Sequence, residues 1–267
     1  MFFALTAATE PIKLIWDLRY ELITRFALTG TAQASVHILF ALLCIVSAYL
    51  IGSINPAILI SRLVYHDDIR THGSGNAGTT NMLRSFGKKA AIATLLLDFS
   101  KAIVAVLIGR LLFGPMGMSI AGFFAGFGHM FPLYTKFQGG KGVACYGIVA
   151  LMISPLAFLC ILATFVIVLI GTRYVSLASV MAALLSPLFM NAFAGSFPLA
   201  PAMGVLAACF VVFMHRENLK RIWNNTESKI DFSKFKKKKK VKATAQTKSD
   251  APVEPSQSDS EKEQDNE

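Results

Sequence analysis

The sequence predicts an all-α polytopic membrane protein with seven transmembrane helices, its N-terminus outside, its C-terminus cytoplasmic and a disordered C-terminal tail. Three observations carry that prediction. Of the 267 residues, 54% are hydrophobic and the mean hydropathy is +0.54, too apolar for a soluble globule. The apolar residues come in runs that approach the roughly 20 residues needed to cross a hydrocarbon core of about 30 Å. Lysine and arginine between the runs fall on one side once seven segments alternate.

Taken in order, residues 1–35 read as an N-terminal extension. Ile12, Ile15, Trp16, Arg19 and Ile23 recur near helical spacing, so residues 10–28 suit an amphipathic interfacial helix. Glu10 and Asp17 interrupt any signal-peptide pattern, so the first long run stays as an anchor. Apolar segments are predicted at about 36–63, 89–113, 117–133, 142–153, 156–171, 175–193 and 198–214. The fourth is short, since about 12 residues rise only about 18 Å as a helix. It must be tilted against thinned lipid, buried among its neighbours or only partly spanning. Pro155 predicts a break and Pro187 a helix end. No internal repeat of the transporter kind is visible.

Charge placement sets the orientation. Arg70, Arg84, Lys88 and Lys89 follow the first segment, Lys136 and Lys141 the third, Arg173 the fifth, and a basic stretch the seventh. The connections at 114–117, 154–155 and 194–197 are short and uncharged. The basic side is therefore cytoplasmic. Lys13, Arg19 and Arg25 count against an outside N-terminus, partly offset by Glu10, Asp17 and Glu21. Much of the +10 net charge lies between Arg216 and Lys242. Just after a final span, such a patch signals topology and lipid headgroups rather than nucleic acid. Residues 231–267 form a lysine-rich, then acidic tail that includes the run Lys236 to Lys240, with too little apolar content to fold. The four cysteines (Cys44, Cys145, Cys160, Cys209) form no CxxC pair and read as small hydrophobes.

Three polar clusters fall on the basic side, and none is needed to hold a helical bundle together. The first, HGSGNAGTTNMLR from His72 to Arg84, is an anion-binding kit. Its glycines let backbone N–H groups approach an anion, and Arg84 adds a fork suited to phosphate. The second runs from Gly128 and His129 through Phe131 and Pro132 to Phe137, Gln138, Gly139, Gly140, Lys141 and Gly142. It fails as a nucleotide P-loop, because Gly142 stands where Ser or Thr is required. A glycine loop entering a helix N-terminus is nonetheless a phosphate seat. The third is His215, Arg216, Glu217, Asn218, Lys220 and Arg221, with 215 and 218 together on a helix. Asp98 and Lys101, at i and i+3 inside an apolar segment, are either functional or a simple ion pair. Arg173, Ser176 and Ser179 open the sixth segment at i, i+3 and i+6, giving it a hydroxyl-bearing face.

Absences narrow the chemistry. Five residues past each histidine stand Leu42, Thr71, Ala77, Tyr134 and Lys220, so there is no HxxxxD dyad. There is no GxSxG nucleophile elbow and no histidine or cysteine cluster with metal-ligand spacing. From the residues alone, an enzyme and a membrane carrier of phosphorylated small molecules or lipid phosphates both fit. The one-sided clusters and the missing repeats favour the enzyme.

The chain resembles the bacterial membrane-bound acyl-phosphate:glycerol-3-phosphate 1-O-acyltransferases. Gly73 to Arg84 looks like their GSGNxGxTNxxR, and Gly128 to Ala144 like their GHxFPxxxxFxGGKGVA. His215 to Arg221 looks like their HRxNxxR, with Glu227 as the acidic residue that follows. Tyr49 to Asn55 and Arg173 to Ser179 are also similar, and the likeness covers roughly residues 36–230. Cys145 departs from a frequent threonine and Asn225 from a usual glycine, though asparagine tolerates the same left-handed backbone.

The resemblance implies acyl transfer from a fatty acyl phosphate to the 1-position of glycerol 3-phosphate, in the bacterial inner membrane with the site facing the cytoplasm. The expected catalytic residues are Ser74, Asn76, Arg84, Lys141, His215 and Asn218. The expected binding residues are Gly73, Gly75, Gly78, Thr80, Asn81, Lys101, His129, Gly139, Gly140, Gly142, Ser176, Ser179 and Arg221. Acyl phosphate is already activated, so direct attack needs positioning and charge stabilisation rather than a covalent intermediate. His215, His129 or a substrate phosphate oxygen would take the hydroxyl proton. The expected partners are the two substrates and membrane lipids, with no cofactor, metal or nucleic acid; the oligomeric state is left open, a monomer being compatible.

Overall fold

The structure is a computed structural model that describes residues 18–230. Up to Ser228 the chain forms one compact unit; of a second, 229–267, only residues 229 and 230 are described. Of the stretch 10–28, expected to be an interfacial helix, residues 18–25 are helical, as α1 (Leu18–Arg25). Its earlier residues, the lysine run and the acidic tail lie outside the described residues. All regular structure among the described residues is helical.

α2 (Gly30–Gly52) starts earlier than the apolar run suggested. It also stops sooner, because Asn55 opens a new helix, α3 (Pro56–Val64). The Asn55 side-chain oxygen accepts from the Ile58 N–H at 3.1 Å, and Pro56 takes the first helical position. That cap satisfies an orphan donor at a point where the chain remains apolar on both sides, so hydropathy alone runs through it. α4 (Thr79–Ser85) follows the first polar loop.

α5 (Gly87–Met130) contains the second and third expected segments. Phe113 and Gly114 leave helical geometry, and Gly114 adopts φ 60°, ψ −147°, a region only glycine occupies readily. Pro115 follows. The two arms, residues 87–112 and 115–130, run back along each other. A Cβ on Gly109 would stand 2.4 Å from the Gly117 carbonyl oxygen, so the arms touch backbone to backbone. α2 lies against this hairpin along Ala48, Ala105, Ala121 and Ala125, each at most 1% exposed. Gly52 fits there because any Cβ would meet the Ala125 oxygen at 2.2 Å. Small residues let membrane helices approach where lipid supplies no hydrophobic drive.

α6 (Val143–Ile153) is the short segment, and burial among neighbours is the solution adopted: Cys145, Val149, Ala150 and Ile153 are all buried. Ser154 caps α7 (Pro155–Thr172), accepting from the Ala157 N–H at 3.3 Å and donating to the Phe193 carbonyl at 3.0 Å. Pro155 thus marks the expected break. Arg173 is a left-handed link (φ 62°) outside α8 (Val175–Phe193), so the helix face keeps its serines but not the arginine. Pro187 does not end α8, which continues through it to Phe193. Neighbouring helices tolerate the lost backbone bond, and α9 (Ala200–Met214) packs Gly204 against that proline. A 55° bend at His215 leads into α10 (Arg216–Trp223).

Among the described residues, four stretches are long and apolar enough to cross a membrane: Gly30–Val64, Gly87–Thr135, Pro155–Thr172 and Val175–Phe193. The second contains both arms of the hairpin. α9 and α10 together make a fifth.

Candidate active site

The first polar loop is tied down by Asn81. Its amide donates to the Ile69 and His72 carbonyls at 3.2 and 2.9 Å, and its oxygen accepts from the Ser74 N–H at 3.1 Å. Those bonds leave the side chain little capacity for a ligand, so Asn81 shapes the loop. Asn55 reaches the same loop, donating to the Ala77 carbonyl at 3.4 Å. At the rim, Asp68 holds Arg62 at 2.9 Å and Arg70 at 2.6 Å. The Arg70 guanidinium keeps the Asp68 carboxyl well below the usual carboxylate range. Arg70 also reaches Gln138 Oε1 at 3.4 Å, bridging to the second loop.

That second loop is built on His129. The Gly140 N–H donates to the His129 carbonyl at 3.0 Å, and a Cβ on Gly139 would stand 2.1 Å from the same oxygen. Gly142 then caps α6 with φ 74°. Lys141 projects between them and donates from Nζ to Asn218 Oδ1. On the third wall, Glu227 gathers the polar groups. Asn218 Nδ2 donates to it at 2.7 Å, Arg221 Nε at 2.7 Å and Ser176 Oγ at 2.8 Å. Asn225, at φ 56°, makes the left-handed turn that brings the carboxylate back onto α10.

These walls enclose a polar chamber of about 790 Å³. Gly73, Ser74, Asn76, Gly78, Thr80, Asn81 and Arg84 line it from the first loop. His129, Lys141 and Gly142 line it from the second, Ser176 and Ser179 from α8, and His215, Asn218 and Arg221 from the last polar segment. The three clusters, far apart in sequence, meet in one place. Gly75, Gly139, Gly140 and Lys101 do not line it. Gly75 closes a turn onto the His72 carbonyl, and Gly139 and Gly140 back onto His129. Lys101 spends its ammonium on the Ile54 carbonyl at 2.7 Å, His129 Nδ1 at 2.8 Å and Asp98 Oδ1 at 2.9 Å.

Sequence reasoning passed over Asn55, Thr79 and Glu227 as site residues and left Asp98 open between a functional role and a simple ion pair. An asparagine before a proline is a readable cap signal at Asn55. Thr79 sits in the first polar cluster; its buried hydroxyl has no hydrogen-bond partner among the described residues and faces the chamber. Asp98, His129 and Cys145 bring ligand atoms within 4.8 Å of one another. Lys101 already occupies the first two, so the lysine fills the place a cation would take.

The electrostatics suit anions. Burial pulls the Lys141 ammonium down to about 8, aided by the charges of Arg221 and Arg84 and opposed by Glu227. Burial and the neighbouring Lys141 bring His215 down to about 4, against the pull of its Val211 hydrogen bond and of Glu227. His215 is therefore neutral near pH 7. Its Nδ1 lies 2.8 Å from the Val211 carbonyl, so Nδ1 carries the proton and Nε2 keeps a free lone pair. Burial pushes the Glu227 carboxyl up, but hydrogen bonds from Asn218, Arg221 and Ser176 outweigh it and hold it below its usual range. Arg84 is exposed, with no hydrogen bond or ion pair among the described residues.

A second cavity of about 540 Å³ adjoins the first. Leu95, Val143, Ala144, Phe165 and Ser179 line both. Beyond them it is almost wholly apolar and runs along α6 to Ile153, Met190 and Ala200.

The family model for glycerol-3-phosphate acyltransferase matches residues 42–225. The chain belongs to the glycerol-3-phosphate acyltransferase family. A glycerol-3-phosphate acyltransferase of Geobacillus kaustophilus (strain HTA426) is 43% identical over 188 residues, covering 70% of this chain and 95% of the relative. That of Bacillus subtilis (strain 168) is 39% identical over 188 residues, covering 70% and 96%. The crystal structure of PlsY, an integral membrane glycerol 3-phosphate acyltransferase, in its glycerol 3-phosphate form superimposes with a TM-score of 0.67. It is 33% identical, covering 73% of this chain and 98% of PlsY. The lysophosphatidic acid form gives 0.64 at 32% identity, covering 72% and 95%. With its spanning-length apolar helices, this chain is a membrane protein of that acyltransferase family.

Proposed function

We propose that the chain transfers a fatty acyl group from acyl phosphate to the sn-1 hydroxyl of glycerol 3-phosphate, releasing lysophosphatidate and inorganic phosphate. One observation carries this reading: a cationic, glycine-walled chamber shares a wall with an apolar slot. The first suits phosphates and the second a fatty chain. A carrier of phosphorylated small molecules needs only the chamber; a carrier of lipid phosphates would use both, and only turnover separates it from the enzyme.

The hydroxyl oxygen attacks the acyl carbon directly, the carbon–oxygen bond to phosphate breaks, and phosphate leaves with the bonding pair. Arg84 and Lys141 hold the two phosphates close together, with Arg221 behind them. Ser74, Asn76 and loop N–H groups face the developing oxyanion. Neutral His215 accepts the hydroxyl proton on Nε2, or the departing phosphate takes it. Asn218 and Glu227 fix Lys141 from behind. In seven alternating spans, the loops after the first, third, fifth and seventh share one side. Their convergence on one chamber supports that count, with the site at the cytoplasmic face of a bacterial inner membrane.

Purified protein with palmitoyl phosphate and glycerol 3-phosphate should form lysophosphatidate without acyl-CoA. No product would overturn the reading and return the carrier. Arg84→Ala and Lys141→Ala should each lower kcat/KM by roughly 100-fold or more while expression persists.

A further inference from the structure

Asp98, Lys101 and His129 form a buried cluster behind the chamber. Their exposures are 1%, 7% and 4%. They come from the two arms of α5, which the hairpin brings face to face. Lys101 Nζ lies 2.7 Å from the Ile54 carbonyl, 2.8 Å from His129 Nδ1 and 2.9 Å from Asp98 Oδ1. The ammonium hydrogen-bonds the Ile54 carbonyl and His129 Nδ1 and stands as an ion-pair partner beside the Asp98 carboxylate. His129 Nδ1 also stands 3.1 Å from Asp98 Oδ1. An N–H at that nitrogen would face the ammonium only 2.8 Å away; Nδ1 therefore accepts from Lys101, which leaves the ring proton on Nε2. That nitrogen faces the glycine loop, where a Cβ on Gly140 would meet it at 2.0 Å.

We infer that Lys101 and Asp98 are positioning residues that hold His129 as a neutral imidazole protonated on Nε2, so that it props the Gly139–Lys141 loop and does not serve as the base. Charge balance supports this. One carboxylate and one ammonium leave the cluster neutral at a depth where net charge is costly. An imidazolium would set a second cation 2.8 Å from Lys101 Nζ. The reverse arrangement, neutral lysine beside a charged ring, would move the proton from an amine to a group that ordinarily holds it about 4 pH units less tightly. Beside Lys101 and the Asp98 carboxylate, whose Oδ1 is 3.1 Å from Nδ1, the groups facing the ring are uncharged. Cys145 of α6 lies near Asp98, its Sγ 3.9 Å from that residue's carbonyl oxygen, and Ala77 and Gly140 offer only backbone. The cluster also joins segments that must stay in register. It ties the end of α2 at Ile54 to both hairpin arms, and through the His129 carbonyl to the Gly140 N–H at 3.0 Å. Lys141 follows directly.

The test is the ring's own nitrogen spectrum. The chain has five histidines, so 15N-histidine protein in nanodiscs gives five ring systems. His129 is assigned by its loss in His129→Gln or, if that variant does not fold, by replacing the other four. The expected pattern is a single neutral ring, protonated on Nε2, unchanged from about pH 6 to about pH 8. A ring protonated on Nδ1, doubly protonated, or titrating in that interval would overturn the inference. In Lys101→Met the ring should turn to donate from Nδ1 to Asp98, and an unchanged spectrum would also overturn it. In the same variant kcat/KM should fall roughly 100-fold, as for a site displaced by about an ångström. Wild-type kcat/KM beside a switched ring would remove the positioning role. The activity arm rests on the acyltransferase reading and the spectrum does not, so failure of one is distinguishable from failure of the other.

Discussion

Lys141 is the residue whose ionisation falls nearest the working range. Burial and the cations around it bring it down to about 8. Below that value it is an ammonium that can hold phosphate; above it the charge is lost. The expected kcat/KM for glycerol 3-phosphate therefore declines as pH rises through about 8. Phosphate monoesters lose their second proton with a pKa near about 6 and are almost wholly dianionic by about pH 8, so the substrates add no limb there. Lys141→Arg should abolish the alkaline decline, because a guanidinium stays charged, at some cost in rate from its different shape. His215, neutral above about 4, adds no limb near neutrality. A pH–rate profile on the two proteins checks this. Much of the residue-level reading was visible in the sequence, since Ser74, Arg84, Lys141 and His215 all line the chamber. Asn81 and Lys101 were harder to read. Their polar groups are spent on carbonyls 9 and 47 positions away, and no spacing rule reveals such partners.

At the scale of elements, close backbone contact decides the packing. Gly52 faces the Ala125 carbonyl and Gly109 faces Gly117, so α2 and the two hairpin arms meet without side chains between them. Gly52→Val should force α2 away from the hairpin and destabilise the protein by about 1–3 kcal/mol. Gly171→Ala, with nothing within 4 Å of its Cβ, should leave stability near wild type. Thermal unfolding in detergent separates the two. The apolar runs foretold most of these elements, and Gly114–Pro115 fell between two of them. The break at Asn55 escaped because apolar residues continue through it and only a side-chain cap interrupts the helix. Pro187 misled because proline inside a packed membrane helix costs less than in an isolated one.

For the whole molecule, the seven-span reading makes an accessibility prediction. Gly195 lies in the uncharged link between α8 and α9, with open space around it, and Lys220 is exposed on α10. In a background without native cysteines, Gly195→Cys should react with an impermeant maleimide from outside intact cells. Lys220→Cys should react only after permeabilisation. The opposite pattern would invert the orientation, and labelling of both from one side would break the alternation.

The wall shared by the polar chamber and the apolar slot bears on how the reaction is supplied. On the proposed chemistry, a substrate lying across that wall keeps its head in the polar chamber and its tail in the apolar slot throughout. It arrives and departs sideways, within the plane of the bilayer. Turnover then follows the mole fraction of acyl phosphate in the membrane rather than its amount per litre. Inert lipid slows the enzyme by dilution alone, without ever occupying the site.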